Sequence, residues 1–227
     1  MHRLLIIPLL CLLVHCACAA EAATGKGITI RLFAVALNKD QGPLCLMTGD
    51  LRGPAFDLPT TSLSAPQTVA GRELVLVAAA SATDSLPRPL GAIHLPEQGS
   101  DFRILLVPTV DSTYRSVVIR ADDPKFGHGD FFFINLSTQP ILGLLGTTKL
   151  ELKPGSQEMV RPAGTKSEKF FEVKFARREA DNFVPITDTC WPIVRDNRSF
   201  VIFYNGKGDR PTYRAVDEFM PLEAAGG

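Results

Sequence analysis

The chain carries one short motif twice, first as Thr113-Tyr114-Arg115-Ser116-Val117 and again, 99 residues later, as Thr212-Tyr213-Arg214-Ala215-Val216. Other segments repeat at nearly the same distance. Phe102-Arg103-Ile104 matches Phe200-Val201-Ile202, and residues 43–49 match residues 140–146 in their proline, their glycine and their apolar positions. A period of about 98 residues is close to the size of one immunoglobulin-like β-domain. The repeat therefore predicts two tandem domains related by internal duplication.

The hydrophobic pattern is that of short strands, with almost no helical periodicity. Phe171, Val173 and Phe175 alternate with less apolar residues, as in a half-buried strand, whereas residues 74–79 and 131–136 are continuous apolar runs that predict strands buried on both faces. The 17 prolines and 18 glycines mark the turns between strands. We therefore predict an all-β fold of two tandem immunoglobulin-like β-sandwich domains. The predicted strands lie near residues 28–37, 44–48, 54–58, 73–80, 89–95, 102–108 and 113–120, and then 130–136, 141–145, 148–152, 157–160, 168–177, 184–193, 199–204 and 211–218.

The first 20 residues have the features of a signal peptide. Arg3 provides the positive charge, residues 4–14 form the apolar region, and cleavage is expected near Ala19 or Ala20. The apolar run is shorter than the roughly 20 residues that a membrane span needs, and no later segment comes closer. The mature protein is thus expected in the periplasm or outside the cell, and lipidation at Cys16 stays an open alternative.

The remaining residues divide into two domains and a short connection. We predict the first β-sandwich at 21–121, a linker at 122–128, the second β-sandwich at 129–220, and a disordered tail at 221–227. Pro124 stiffens the linker, so a preferred orientation of the two domains is expected.

Charge and cysteine content exclude several classes of protein. Without residues 1–20 the chain has 23 lysines and arginines against 24 aspartates and glutamates, and no basic stripe that would bind nucleic acid. Three of the five cysteines leave with the signal peptide. Cys45 and Cys190 lie in different halves, so neither half can form its own disulfide. A bridge between the halves and a pair of buried thiols both stay open.

No motif of a common enzyme class is present. The sequence has no His-Glu-x-x-His, no Cys-x-x-Cys, no Gly-x-Ser-x-Gly and no phosphate-binding glycine loop. We expect no catalytic residues, no cofactor and no metal. Asp122, Asp123, His128 and Asp130 are the nearest approach to a calcium site. Their position beside Pro124 favours an ordinary solvated linker.

The repeated motif is expected to have a structural role. In each half it begins the last strand of the domain, and a motif that occurs twice is not typical of a single catalytic centre. The residues concerned are Tyr114, Arg115, Tyr213 and Arg214, whose side chains are expected to pack beside the strand, with the tyrosine hydroxyl bonded to backbone.

The second half contains a stretch that is similar to known exported proteins. Phe132-Phe133-Ile134-Asn135-Leu136-Ser137-x-x-Pro140, followed by Leu150-Glu151-Leu152-Lys153-Pro154-Gly155, resembles the opening of exported bacterial β-sandwich domains without an assigned function. It also resembles the first domain of periplasmic pilus-assembly chaperones, which consist of two immunoglobulin-like domains. The resemblance implies a tandem β-sandwich fold in the cell envelope. The basic pair with which those chaperones hold a pilin carboxylate has no counterpart here.

These observations favour an exported protein that binds or scaffolds another envelope protein without catalysing a reaction. Sandwich edges can accept an additional strand from a partner, so binding needs no special motif. The expected docking surface is the cleft at the linker, near Phe126, His128 and Asp130. The alternatives are a carbohydrate- or ion-binding accessory module, a periplasmic chaperone-like assembly factor, and an enzyme whose site is built from loops.

Overall fold

The computed structural model describes residues 27–79, 88–165, 167, 169–179 and 182–221. Within this part of the chain the protein is all-β, with sixteen strands, one short 3₁₀ helix at Lys207–Asp209 and no α-helix. The predicted signal peptide lies outside the described residues, as does the predicted tail apart from Pro221.

The first eight strands form two four-stranded sheets. They are β1 (Ile28–Ala34), β2 (Leu44–Thr48), β3 (Leu51–Arg52), β4 (Gln67–Val69), β5 (Glu73–Ala78), β6 (Pro89–His94), β7 (Asp101–Pro108) and β8 (Tyr114–Arg120). Sheet 1 has the order β3-β2-β5-β6 and sheet 2 the order β4-β1-β7-β8. In sheet 2 the pair β1 and β7 is parallel, while the other pairs are antiparallel.

The next eight strands form two more sheets of the same design. They are β9 (Phe131–Asn135), β10 (Ile141–Leu145), β11 (Thr148–Leu152), β12 (Gln157–Val160), β13 (Phe170–Glu179), β14 (Asn182–Pro192), β15 (Asn197–Asn205) and β16 (Pro211–Phe219). Sheet 3 has the order β12-β9-β15-β16 and sheet 4 the order β11-β10-β13-β14. Adding eight to each strand number converts sheet 2 into sheet 3 and sheet 1 into sheet 4. The central pair β9 and β15 is again parallel.

The four sheets stack in the order 1, 2, 3, 4 around three apolar cores. The first core lies between sheets 1 and 2, the second between sheets 2 and 3, and the third between sheets 3 and 4. Successive side chains of a strand point to opposite faces, so β1 sends Leu32 into the first core and Phe33 into the second. In the same way β9 sends Phe132 into the second core and Phe133 into the third. The arrangement is consistent with β-sandwich packing within each half.

The two continuous apolar runs have different environments. The prediction that the run at 131–136 is buried on both faces is confirmed, because β9 lies between two other sheets. The same prediction is wrong for the run at 74–79. Strand β5 belongs to an outer sheet, and the side chain of Val75 on its second face is 36% exposed.

Two details of the predicted strands also differ. No strand forms at 54–58, where Phe56 makes only an isolated bridge to Leu44. Strand β4 was not predicted, because a three-residue segment with the sequence Gln-Thr-Val has too little apolar pattern to be recognised. It pairs with β1 and completes sheet 2.

The two cysteines are both free thiols. Cys45 is buried as one alternative predicted, whereas Cys190 is exposed on β14, the outermost strand of sheet 4. The expectation of a buried thiol is therefore wrong for Cys190.

A buried ion cluster joins sheets 2 and 3. Glu218 on β16 is 4% exposed and accepts hydrogen bonds from Arg103 of β7 (Nη2 to Oε1, 2.5 Å) and from Arg198 of β15 (Nε to Oε2, 2.8 Å). Arg198 also donates to the carbonyl oxygens of Ala121 and Phe126 at 2.6 and 3.1 Å. Burial alone would raise the pKa of Glu218, but the two arginines hold it below its ordinary value of 4.5.

We predict that Glu218→Gln lowers the free energy of unfolding at pH 7 by about 3 kcal/mol, because it removes the carboxylate partner of the buried Arg198 and one of the two carboxylates that hold the buried Arg103. Since the folded pKa of Glu218 is lowered, this stabilisation is complete above the ordinary value of 4.5 and is lost as the pH falls through the folded pKa. The Glu218→Gln variant has no carboxyl group to protonate at this position, so its stability does not show this fall with pH. The free energies of unfolding of the two proteins therefore converge at acid pH. Urea unfolding over a pH series measures both effects.

The matched control is Glu179→Gln. Its ion pair with Arg177 has a similar distance, 2.8 Å, but the Glu179 side chain is 59% exposed. We expect a loss below about 1 kcal/mol. Equal losses in the two variants at pH 7 would contradict the role assigned to the buried cluster.

Candidate functional site

A cavity of ≈ 530 Å³ opens between sheets 3 and 4, on the side where β14 and β16 form the sheet edges. It takes in the starts of β9, β13 and β15, the end of β14 and the middle of β16, together with the loops that precede β9, follow β12 and follow β14. The residues that line it are His128, Gly129, Asp130, Phe131, Pro162, Ala163, Gly164, Thr165, Phe171, Trp191, Pro192, Ile193, Val194, Arg195, Asn197, Ser199, Ala215 and Asp217.

Aromatic rings form one wall of the cavity. Trp191 is partly buried and stacks on Phe131 with 5.6 Å between ring centroids and 26° between ring planes. Phe171 meets both rings edge-on, at 5.7 Å from Phe131 and 6.4 Å from Trp191. Behind them Phe175 and Tyr213 continue the aromatic packing into the third core. This geometry holds the indole ring in one orientation and leaves part of it facing the cavity.

A tight turn holds the acidic residue at the base of the cavity. Gly129 has a φ of +76°, a backbone conformation that favours glycine, and it brings Asp130 back towards the Gly127 amide, which donates to Oδ2 at 2.8 Å. Arg161 clamps the same carboxylate from Nε and Nη2, at 2.6 and 2.8 Å. Asp130 is 3% exposed, and its hydrogen bond and charge raise the pKa of Arg161. Its negative charge is therefore compensated within the protein.

Asp217 is the second carboxylate on the cavity wall, and it is exposed. The hydroxyl of Ser199, on the neighbouring strand β15, donates to its Oδ1 atom at 2.6 Å. Because Ser199 is buried, this hydrogen bond orients the carboxylate at the edge of sheet 3.

His128 contributes a polar atom without a partner. Its Nδ1 atom is buried and makes no hydrogen bond with any of the described residues. An imidazole nitrogen in this situation can bond to a ligand that enters the cavity.

The equivalent side of the first half is closed. Strands β6 and β8 meet there: the Ser116 hydroxyl donates to the Ala92 carbonyl oxygen at 3.0 Å. A Cβ atom on Gly91 would lie only 2.6 Å from the carbonyl oxygen of Tyr114. Ile93, which aligns with Trp191 in the sequence repeat, is 0% exposed and belongs to the first core. The two halves have the same strand order, but the side between the two edge strands is closed in the first half and open in the second.

The three residues predicted at the docking surface have different positions. Phe126 is 2% exposed; its ring lies under the Arg198 guanidinium at 4.7 Å and packs against Phe132 and Phe200. It is part of the core between sheets 2 and 3, and so it is not available to a partner. His128 and Asp130 line the cavity.

The residues of the repeated motif lie on the last strand of sheets 2 and 3. The hydroxyl of Tyr114 accepts a hydrogen bond from the Asn38 amide at 2.9 Å, and burial raises the pKa of Tyr114. Tyr213 packs among the aromatic rings of the third core. Arg214 donates to the carbonyl oxygens of Val35 and Thr60 in the first half, at 2.9 and 3.0 Å, whereas Arg115 is exposed.

Sequence reasoning missed the aromatic wall and the pair Ser199–Asp217. The one signal in the sequence was the replacement of Ile93 by the larger Trp191 at the repeat-equivalent position. The acidic residues near the linker, considered as a calcium site, do not converge. Asp122 bonds to Ser100 and Arg120, and Asp130 to Arg161. Among the described residues no group of three histidine, cysteine or acidic side chains could hold a metal ion.

Comparison with known proteins leaves the family open. No protein-family model matches this chain, and a search of curated proteins finds no match either. In the part of the chain that the structure describes, no helix is long and apolar enough to cross a membrane.

We predict that valine is tolerated on the open side and not on the closed side. Gly91→Val should lower the free energy of unfolding by about 1–3 kcal/mol, because its side chain meets the backbone of Tyr114. Ala215→Val on β16 should change it by less than about 0.5 kcal/mol, since Ala215 is exposed at the cavity. Thermal or urea unfolding of the two variants gives the comparison. A large loss for Ala215→Val would show that the second half is closed in solution.

Proposed function

We propose that this protein is an exported, non-catalytic binding protein of the cell envelope, which holds another envelope protein through the cavity of its C-terminal half. Its two halves are, on this proposal, tandem immunoglobulin-like β-sandwich domains that arose by duplication. The identical strand order of the two halves and the 99-residue spacing of the repeated motif support the duplication. The signal-peptide pattern supports a location in the periplasm or outside the cell.

The observation that carries the proposal is the difference between two otherwise similar halves. In the first half the side bordered by β6 and β8 is closed by backbone contact. In the second half the corresponding side holds a cavity with an aromatic wall, an oriented carboxylate and an imidazole nitrogen without a partner. Apolar cavities with a few convergent polar groups are typical of binding sites.

The polar groups around the cavity favour binding over catalysis. Asp130 is engaged by Arg161, and the Ser199 hydroxyl is engaged by the Asp217 carboxylate, so these groups already have hydrogen-bond partners within the protein. Shifted pKa values are typical of catalytic groups. Glu218, whose pKa is lowered by buried arginines, lies at the junction of sheets 2 and 3 and does not line the cavity.

A second candidate function is carbohydrate binding. Trp191 is partly buried, and its ring lines the cavity together with Phe131, an arrangement on which a sugar ring could stack. We place this candidate second because the aromatic rings at the cavity pack against one another as a single wall, whereas sugar-binding modules usually present an open platform.

Site-specific crosslinking in the source organism tests the proposal. A photoreactive amino acid replaces Arg195, an exposed residue at the cavity, and in a matched variant it replaces Val110, which is 99% exposed in the first half. We expect one dominant protein partner, identified by mass spectrometry, from position 195 and not from position 110. The same products from both positions, or none from position 195, would contradict it. Glycans recovered from position 195 would favour the second candidate.

A further inference from the structure

Strand β16 presents a free backbone edge beside the cavity. It is the last strand of sheet 3, and among the described residues it pairs only with β15, in an uninterrupted antiparallel register. The amide of Met220 donates to the Asp196 carbonyl oxygen and the amide of Gly206 to that of Arg210, at 2.6 and 2.8 Å. These two bonds join even-numbered residues that lie opposite each other. Because hydrogen-bonded pairs alternate with non-bonded pairs along an antiparallel ladder, the even-numbered residues of β16 are the ones that bond to β15. The amide and carbonyl groups of Ala215 and Asp217 therefore point away from the sheet.

The same two residues direct their side chains into the cavity. Val216 and Glu218 face sheet 2, where they contribute to the second core and to the buried ion cluster. Strand alternation then places Ala215 and Asp217 on the opposite face, and both line the cavity. A strand added to β16 would pair its backbone with these residues and send alternate side chains into the same space.

Shape and charge define which side chains would fit there. Ala215 has a small side chain next to a cavity of ≈ 530 Å³ with an aromatic wall, so the residue opposite it can be large and apolar. Asp217 is exposed and oriented by Ser199, so the residue opposite it is favoured as lysine or arginine. Ala215 and Asp217 are separated by one residue of β16. An antiparallel partner strand runs in the opposite direction, so its basic residue, opposite Asp217, precedes its apolar residue, opposite Ala215, by two positions.

We propose that the partner binds through an extended segment that adds antiparallel to β16, with a lysine or arginine opposite Asp217 and, two residues later, an aromatic or large aliphatic residue in the cavity. This inference rests on the proposed function and names the recognition mode of the same site. The corresponding edge strand of the first half, β8, is not available for strand addition in the same way, because β6 contacts it.

The first test uses the full chain and a synthetic peptide, acetyl-Thr-Val-Lys-Thr-Phe-Thr-Val-amide. Trp191 is the only tryptophan, so its fluorescence reports occupancy of the cavity, and calorimetry gives the affinity. N-methylation of the phenylalanine removes the N–H that would bond to Ala215 and should weaken binding at least about 10-fold. N-methylation of the threonine between lysine and phenylalanine, whose N–H points away, should weaken it less than about 3-fold.

The second test concerns charge. Changing the peptide lysine to glutamine should weaken binding about 2- to 5-fold, and the difference should disappear in Asp217→Asn, whose side-chain oxygen can still accept from Ser199. Circular dichroism verifies the fold of this variant.

Three outcomes would overturn the inference: no binding at peptide concentrations up to about 2 mM, equal effects of the two N-methyl groups, or a lysine preference that persists in Asp217→Asn. If any one of these outcomes is found while crosslinking from position 195 still captures one partner, the proposed function stands and the strand-addition mode fails. If the peptide binds as expected but position 195 captures nothing in the envelope, the proposed function fails instead.

Discussion

The burial of Glu218 between Arg103 and Arg198 is the constraint on which the arrangement of the two halves depends. Three ionised side chains are taken out of water at the junction of sheets 2 and 3, which costs free energy unless each finds its partner. The hydrogen bonds from Arg198 to the carbonyl oxygens of Ala121 and Phe126 extend the cluster into the chain that connects the halves. Apolar contacts have little directionality, whereas these hydrogen bonds have defined donors and acceptors and favour one register of sheets 2 and 3.

This junction also determines what β16 can do on its other face. Val216 and Glu218 hold the strand against sheet 2, and Arg214 bonds to the first half at Val35 and Thr60. Because these contacts involve the even-numbered residues, the odd-numbered Ala215 and Asp217 are held in position at the cavity without closing it. A rigid wall of this kind loses little conformational entropy when a ligand binds.

The sequence predicted most of the strands because apolar alternation depends on local residues. It could not predict which strands have two buried faces. Residues 74–79 and 131–136 have the same apolar character, yet Val75 is part of an outer sheet and Phe132 lies between two sheets. That difference depends on a sheet contributed by residues far away in the chain. For the same reason Phe126 was placed at a docking surface, although the partner that covers its ring is Arg198, 72 residues further along.

The candidate site was only partly predictable for a related reason. His128 and Asp130 were chosen because they lie at the linker, but they line the cavity because a glycine turn brings them back beside sheet 3. Trp191, Ser199 and Asp217 come from three strands, and each has an ordinary role in sequence as an apolar or polar strand residue. Only comparison between the halves exposes them. In the first half Ile93 is buried in the core and β6 contacts β8. At the corresponding place in the second half Trp191 stacks on Phe131, and a cavity lies in front of the ring. The closed half therefore serves as an internal reference, and the departure of the other half from it is the feature that distinguishes the candidate site.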